Sequence, residues 1–144
     1  MDTSGSLGND LVSLKDRSNL RAFHNKRYLN KVFTEQEIAL ANGKSNPLST
    51  FARLWSCKES AYKVMRKQGL RIGFNPSSFE VTPTSKDWLV AYRGQIVYTT
   101  STVTDAYVHT IASSNPHILR STHTKIEYTN SRKPSTISEI GKKK

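Results

Sequence analysis

Residues 50–68 read TFARLWSCKESAYKVMRKQ, and this stretch decides how the rest of the chain divides. It predicts a helix, with Pro47 and then Ser49 or Thr50 as N-cap ahead of it and Gly69 as its stop. Beyond Gly69 the texture changes. SFEVTPT, DWLVAY, QIVYTTSTV and DAYVHTIAS are β-branched and aromatic, set apart by NPSS, TSKD, RG and TD, and predict strands of an antiparallel sheet. Upstream, Thr34-Glu35-Gln36-Glu37 is a capping box that opens a helix, EQEIALANG, stopped at Gly43. Residues 16–32, DRSNLRAFHNKRYLNKV, place Leu20, Phe23, Tyr28, Leu29 and Val32 at near-helical spacings and predict one basic helix. Residues 7–14, LGNDLVSL, predict a short apolar strand interrupted by Asp10. Helices first and strands after indicate an α+β fold rather than a wound parallel sheet. The expected domain spans residues 1–121. Residues 122–144 are polar and basic, with Pro134 and a Lys142-Lys143-Lys144 end, and are expected to form a C-terminal tail.

Composition bounds the function classes. The 144 residues are 35% hydrophobic and 9% aromatic, a lean supply that still anchors one modest core through two Trp, six Tyr and five Phe. Lys plus Arg number 22 against 11 Asp plus Glu, a net charge of +11 with a pI near 10.0. Such a surface attracts polyanions of any kind. A single cysteine, Cys57, excludes an internal disulfide framework and a Cys-rich zinc site. No apolar run approaches the ~20 residues of a membrane span. Residues 1–9 lack the basic and apolar regions of a signal peptide, and the cytoplasm is the expected compartment. No internal repeat is visible.

Within the decisive stretch, Trp55, Glu59 and Lys63 are spaced i, i+4, i+8 and share one helix face. The plain reading is a surface pair between Glu59 and Lys63, contributing ~0.2–0.5 kcal/mol, with Trp55 in the core. Asp10 bears on that reading, because an acid inside an apolar run needs a reason. It is either a strand-end turn acid or half of a metal site. His24, His109, His117 and His123 show no metal-ligand spacing and read as strand or loop residues. Cys57 reads as packing, since nothing nearby marks an activated thiolate.

Gly8-Asn9-Asp10, followed about fifty residues later by Trp55-Ser56-Cys57-Lys58-Glu59-Ser60-Ala61-Tyr62-Lys63, resembles the 4′-phosphopantetheinyl transferase superfamily. An Arg-rich helix leading to Phe33-Thr34-Glu35-Gln36-Glu37 lies between the two parts, as in that family. The resemblance covers about residues 7–112 and is strongest to short members of the holo-acyl-carrier-protein synthase type. It implies an N-terminal strand and helices followed by an antiparallel sheet. It also implies transfer of the phosphopantetheine arm of coenzyme A to a serine hydroxyl of a carrier protein, releasing adenosine 3′,5′-bisphosphate.

By resemblance, Asp10 and Glu59 would hold magnesium and Lys63 would act on the diphosphate. The chemistry suits them, because magnesium is commonly held by one or two carboxylates plus substrate phosphates. Lys58 and Arg53 are further candidates for the coenzyme's phosphates. Arg17, Arg21 and Arg27 fall where the family's carrier-contacting basic helix lies, a suitable face for an acidic partner. The best-known short branch also implies a homo-oligomer, a trimer with sites between subunits. Where members usually carry Ser-His, this chain has Thr100-Ser101-Thr102-Val103.

Two rival readings remain. A basic nucleic-acid-binding module accounts for the charge, but it leaves the register of Asp10, Glu59 and Lys63 unexplained. The chain also lacks an RNP pattern or helix-turn-helix spacing. A catalytically silent relative that binds carrier protein or coenzyme A is the second.

Overall fold

The computed structural model describes residues 6–71 and 73–119. The expected tail at 122–144, and His123 with it, lies outside them. In chain order the elements are β1 (Leu7–Ser13), α1 (Arg17–Phe23), α2 (Lys26–Val32), α3 (Glu35–Asn42) and α4 (Pro47–Lys67). A single 3₁₀ turn (Pro76–Ser78) then leads to β2 (Glu80–Thr82), β3 (Trp88–Tyr92), β4 (Gln95–Val103) and β5 (Tyr107–Ser113). The fold is α+β: helices follow the first strand, and the other four strands form meander pairings.

The sheet is antiparallel, in the order β1-β5-β4-β3-β2. The first strand therefore pairs with the last, Leu7 opposite Ser113 and Ser13 opposite Tyr107. The β3–β4 hairpin turns at Arg93-Gly94, where both residues have positive φ (48° and 79°), as a two-residue turn matched to strand twist requires. Helix α4 lies across the sheet and packs most closely on β1 and β5. Its fully buried Leu54, Cys57, Ala61 and Val64 meet Val97, Val108 and Ala112 in the core.

Two expectations about helix boundaries are corrected. Residues 16–32 form two helices rather than one. Asp16 caps α1 through the backbone N–H groups of Ser18 and Asn19, and Asn25 caps α2 by accepting from Tyr28 N. A cap at Asn25 stops the first helix and restarts the chain in a new direction, which apolar spacing alone does not register. The N-cap of α4 is Asn46, accepting from Ser49 N at 3.3 Å, with Pro47 in the first turn, where its missing N–H costs nothing. At the other end of α4, Gly69 takes φ +105°, the conformation that ends a helix at low cost in glycine.

Candidate active site

Strand β1 alternates, with Gly8, Asp10 and Val12 turned toward α4 and Asn9 and Leu11 turned away. Gly8 sets the distance. A Cβ there would lie 2.6 Å from the backbone oxygen of Ser60 and 3.2 Å from Cβ of Lys63, so only glycine lets β1 seat this closely on the helix. The contact is extended by Ser56 Oγ, which donates to the Asp10 carbonyl at 3.2 Å.

The close seating brings the three charged residues of the two motif halves together. Lys63 Nζ lies 3.5 Å from Asp10 Oδ1 and donates to the Asn9 carbonyl at 2.8 Å. The Asp10 side chain is 16% exposed, and its Oδ2 is buried without a hydrogen-bond partner. Burial pushes the Asp10 carboxyl up, with the Lys63 ammonium opposing, and the charge of His109 also favours the ionised form. Glu59, one turn from Lys63, is pushed up by burial and then by the negative charge of Asp10. These two carboxylates repel each other, and one holds a buried oxygen with nothing to accept from. That is the electrostatic setting a cation relieves. No cluster of three His, Cys, Asp or Glu exists among the described residues. The donor set is therefore two carboxylates, which fits magnesium completed by phosphate oxygens and water rather than a closed protein cage.

Two candidate residues stand elsewhere. Lys58 is fully buried. Its Nζ pairs with Glu37 Oε1 at 2.8 Å and donates to the carbonyls of Pro76 at 2.8 Å and Phe79 at 2.7 Å. An ammonium has three donors and all three are taken inside the protein, so Lys58 has none left for a coenzyme. Burial lowers its pKa and Glu37 opposes that shift. Arg53 stacks its guanidinium over the Trp88 ring, 3.7 Å from the centroid, and its Nε is buried without a partner. Burial pushes its pKa down. Trp88 belongs to β3, three places from β1 in the sheet, so Arg53 is turned away from Asp10. Arg17, Arg21 and Arg27 are exposed, the first two on α1 and the third on α2.

Several contributors to the site are long-range neighbours with no local signature. Tyr28 comes close to Glu59, and its hydroxyl is pushed up by burial and then by that charge. Trp55 is half-buried between Tyr28 and Phe74, at ring distances of 6.3 and 5.6 Å. His109 is on β5 across from Leu11. Gly8 and Trp55 do carry a sequence signal, since a glycine inside a strand marks a close backbone approach and Trp55 shares the i, i+4, i+8 face of Glu59 and Lys63.

A first strand bearing a lone acid, seated by glycine on a helix that carries Glu and Lys one turn apart, in an antiparallel α+β sheet, defines the class of protein. The chain belongs to the 4′-phosphopantetheinyl transferase superfamily, whose family profile matches residues 6–123. It is similar to the holo-[acyl-carrier-protein] synthase of Magnetococcus marinus, 36% identical over 80 residues, 54% of this chain and 57% of that protein. It is also similar to the synthase of Campylobacter curvus, 33% identical over 75 residues, 52% of this chain and 60% of that protein. The matches thus span little more than half the length of these curated relatives.

Solved structures share the fold at low identity. A holo-(acyl-carrier-protein) synthase from Bacillus anthracis in complex with CoA (3′,5′-ADP) superposes with TM-score 0.60 at 17% identity. That match covers 75% of this chain and 93% of that one. An ACPS–CoA complex from Chronobacterium ammoniagenes gives TM-score 0.63 at 17% identity, covering 76% and 95%.

Proposed function

We propose that this chain transfers the 4′-phosphopantetheine arm of coenzyme A to a serine hydroxyl of an acidic carrier protein, in a magnesium-dependent reaction. The observation that carries this reading is the buried, unpartnered Oδ2 of Asp10 beside Glu59, with Lys63 in reach of the same carboxylate. The names of the similar proteins and the family membership support it.

Asp10 and Glu59 would hold magnesium, which when bound neutralises charge on the coenzyme's diphosphate. Lys63 is held by the Asn9 carbonyl, and its side chain is 48% exposed. Its ammonium is therefore both positioned and open to a ligand, and it stabilises the negative charge that gathers on the diphosphate oxygens in the transition state. The serine oxygen of the carrier forms a bond to the β-phosphorus as the bond from that phosphorus to the bridging oxygen breaks. The electron pair leaves on adenosine 3′,5′-bisphosphate, and the serine proton passes to water. Tyr28 and Trp55 form the wall beside Glu59. Arg17, Arg21 and Arg27 supply the docking face for the carrier's acidic surface.

We assign this activity to residues 1–121. We further propose a homo-oligomer, supported by Leu11 at 65% and Ile96 at 42% exposure on the sheet. No described helix is long and apolar enough to cross a membrane, and the single buried cysteine suits the cytoplasm, where we place the reaction.

Mass spectrometry of an acidic apo-carrier protein after incubation with the chain, coenzyme A and magnesium tests the reading. The carrier should gain the mass of one phosphopantetheine, and Asp10→Ala or Glu59→Ala should prevent the gain. A carrier left unmodified by the unaltered chain overturns it. The second reading, a silent relative that binds without transfer, is favoured by Thr100-Ser101-Thr102-Val103, a stretch without histidine where members of the resembled family usually carry Ser-His. Coenzyme or carrier binding without any mass gain would select it.

A further inference from the structure

On its sheet side, helix α4 buries two serines, Ser56 and Ser60, each 0% exposed. A buried hydroxyl is unfavourable unless it is bonded, and alanine is both the better helix former and free of that penalty. Both hydroxyls leave the helix and bond the sheet. Ser56 Oγ donates to the Asp10 carbonyl at 3.2 Å, and Ser60 Oγ to the Thr110 carbonyl at 3.4 Å. Asp10 and Thr110 are register partners across β1 and β5, and Thr110 faces Ser101 of β4 in turn. The hydroxyls of Thr110 and Ser101 lie 2.8 Å apart. Helix α4 is thus tied to one polar row that crosses three strands, and that row is the one that carries Asp10.

The tie falls where the two halves of the candidate site meet. Ser56, Glu59, Ser60 and Lys63 are spaced i, i+3, i+4, i+7 and form one stripe of α4. At one end of the stripe Ser56 holds the Asp10 carbonyl, and at the other Lys63 holds the Asn9 carbonyl at 2.8 Å. Adjacent residues of β1 are therefore fixed from separate turns of the helix. A hydroxyl has one proton to give, and Ser56 gives it to the Asp10 backbone while Oδ2 of the same residue stays without a partner. The backbone is held and the carboxylate is left open.

We propose that Ser56 is a positioning residue, which ties the strand bearing Asp10 to the helix bearing Glu59 and so fixes how the two carboxylates face each other. The use of that arrangement for a cation rests on the transferase reading, whereas the tie itself rests on the hydrogen bonds. A group that orients a metal ligand without touching the metal typically changes metal affinity about 10–100-fold when it is removed. Ser60 is the contrast, since it holds β5 rather than the residue that bears the carboxylate.

NMR on the full chain at constant pH tests this, with the side-chain carboxyl carbons of Asp10 and Glu59 as reporters. Without metal, Ser56→Ala should move the Asp10 resonance and Ser60→Ala should leave it in place. Magnesium chloride should then shift both resonances saturably in the unaltered chain. The apparent magnesium affinity should fall about tenfold or more in Ser56→Ala and stay within about twofold in Ser60→Ala. A merely structural role for Ser56 would lower Tm in both variants and leave the affinity of both alone.

An Asp10 resonance unmoved by Ser56→Ala overturns the proposal, as does a magnesium affinity that Ser56→Ala leaves unchanged or that both variants lose equally. A metal-free shift confined to Ser56→Ala, with no response of the unaltered chain to magnesium, would sink the magnesium reading and leave the tie standing.

Discussion

The side of α4 that faces α3 and the side that faces β1 each carry an acid–lysine pair, and the two differ in nearly every respect. Lys58 and Glu37 are 0% and 2% exposed and 2.8 Å apart. Glu37 also receives Thr34 N at 2.9 Å and Val81 N at 2.8 Å, so every charge is answered. Lys63 and Asp10 are 48% and 16% exposed and 3.5 Å apart, with Oδ2 of the acid buried and unanswered. Five residues along one helix separate a pair that ties α3, α4 and the start of β2 together from a pair left open to a ligand. A buried, saturated ion pair holds structure. An incomplete one, beside a second carboxylate, is what a binding site looks like before its ligand arrives.

Breaking the closed pair should have the larger effect. Lys58→Met removes the cation paired with Glu37 and leaves that carboxylate buried, which costs about 3–5 kcal/mol. Denaturant unfolding should show the loss. Adding Glu37→Gln should recover part of it, since the stranded charge is then gone. A loss below about 1 kcal/mol in Lys58→Met would show that the pair is not what holds this side of α4.

The open pair should behave in the opposite way. Lys63→Met should lower turnover about 10²–10³-fold while leaving unfolding nearly unchanged. Steady-state transfer assays at saturating coenzyme check it. If turnover survives and stability drops instead, Lys63 belongs with Lys58 and the contrast between the two sides collapses.

The contrast also shows how far the sequence could be read. Strands β2 to β5 were legible because β-branched and aromatic runs alternate with turn residues, and the Arg93-Gly94 turn is a local code. The capping box was legible too, because Thr34 and Glu37 lie three residues apart and bond each other. The second task of Glu37, reaching Lys58 and Val81, depends on contacts 21 and 44 residues away in sequence, and spacing cannot show those. For the same reason, reading Lys58 and Arg53 as candidates for the coenzyme's phosphates could not anticipate where they sit. They are neighbours in sequence, but a helix turns about 100° per residue and sends them to other faces. Asp10, Glu59 and Lys63 were legible through motif resemblance, and the physical sign was an acid inside an apolar strand. The break at Asn25 was lost because Leu20, Phe23, Tyr28 and Leu29 keep helical spacing across it.

That break sharpens a third prediction. Arg17 and Arg21 are i,i+4 neighbours on α1, whereas Arg27 stands on α2 in a different direction. Reversing Arg17 and Arg21 to Glu together should raise the apparent KM for carrier about fivefold or more at low salt and leave coenzyme binding unchanged. An equal effect from Arg27→Glu alone would place the docking face on α2 instead. Carrier kinetics unaltered by either change would remove both helices from the docking surface.

The smallest effect has the most telling sign. Glu59 and Asp10 have ordinary values of 4.5 and 3.8, and the fold raises both. A raised carboxyl binds its proton more tightly in the folded than in the unfolded chain. Stability from these groups is therefore lost as pH rises from those ordinary values through the raised values of the folded chain. Below about pH 4 the penalty fades, because both states become protonated. Glu59→Gln keeps the shape of the side chain and removes the charge that burial and Asp10 disfavour. It should raise Tm at pH 7 by about 1–3 °C, equivalent to about 0.5 kcal/mol, while abolishing transfer. The gain should shrink toward zero in calorimetry near pH 4. On the other side of the helix, Glu37→Gln should lower Tm at pH 7, because there the lost charge was matched by Lys58. If Glu59→Gln also lowers Tm, Glu59 is answered as fully as Glu37, and the carboxylates near β1 are not waiting for a cation.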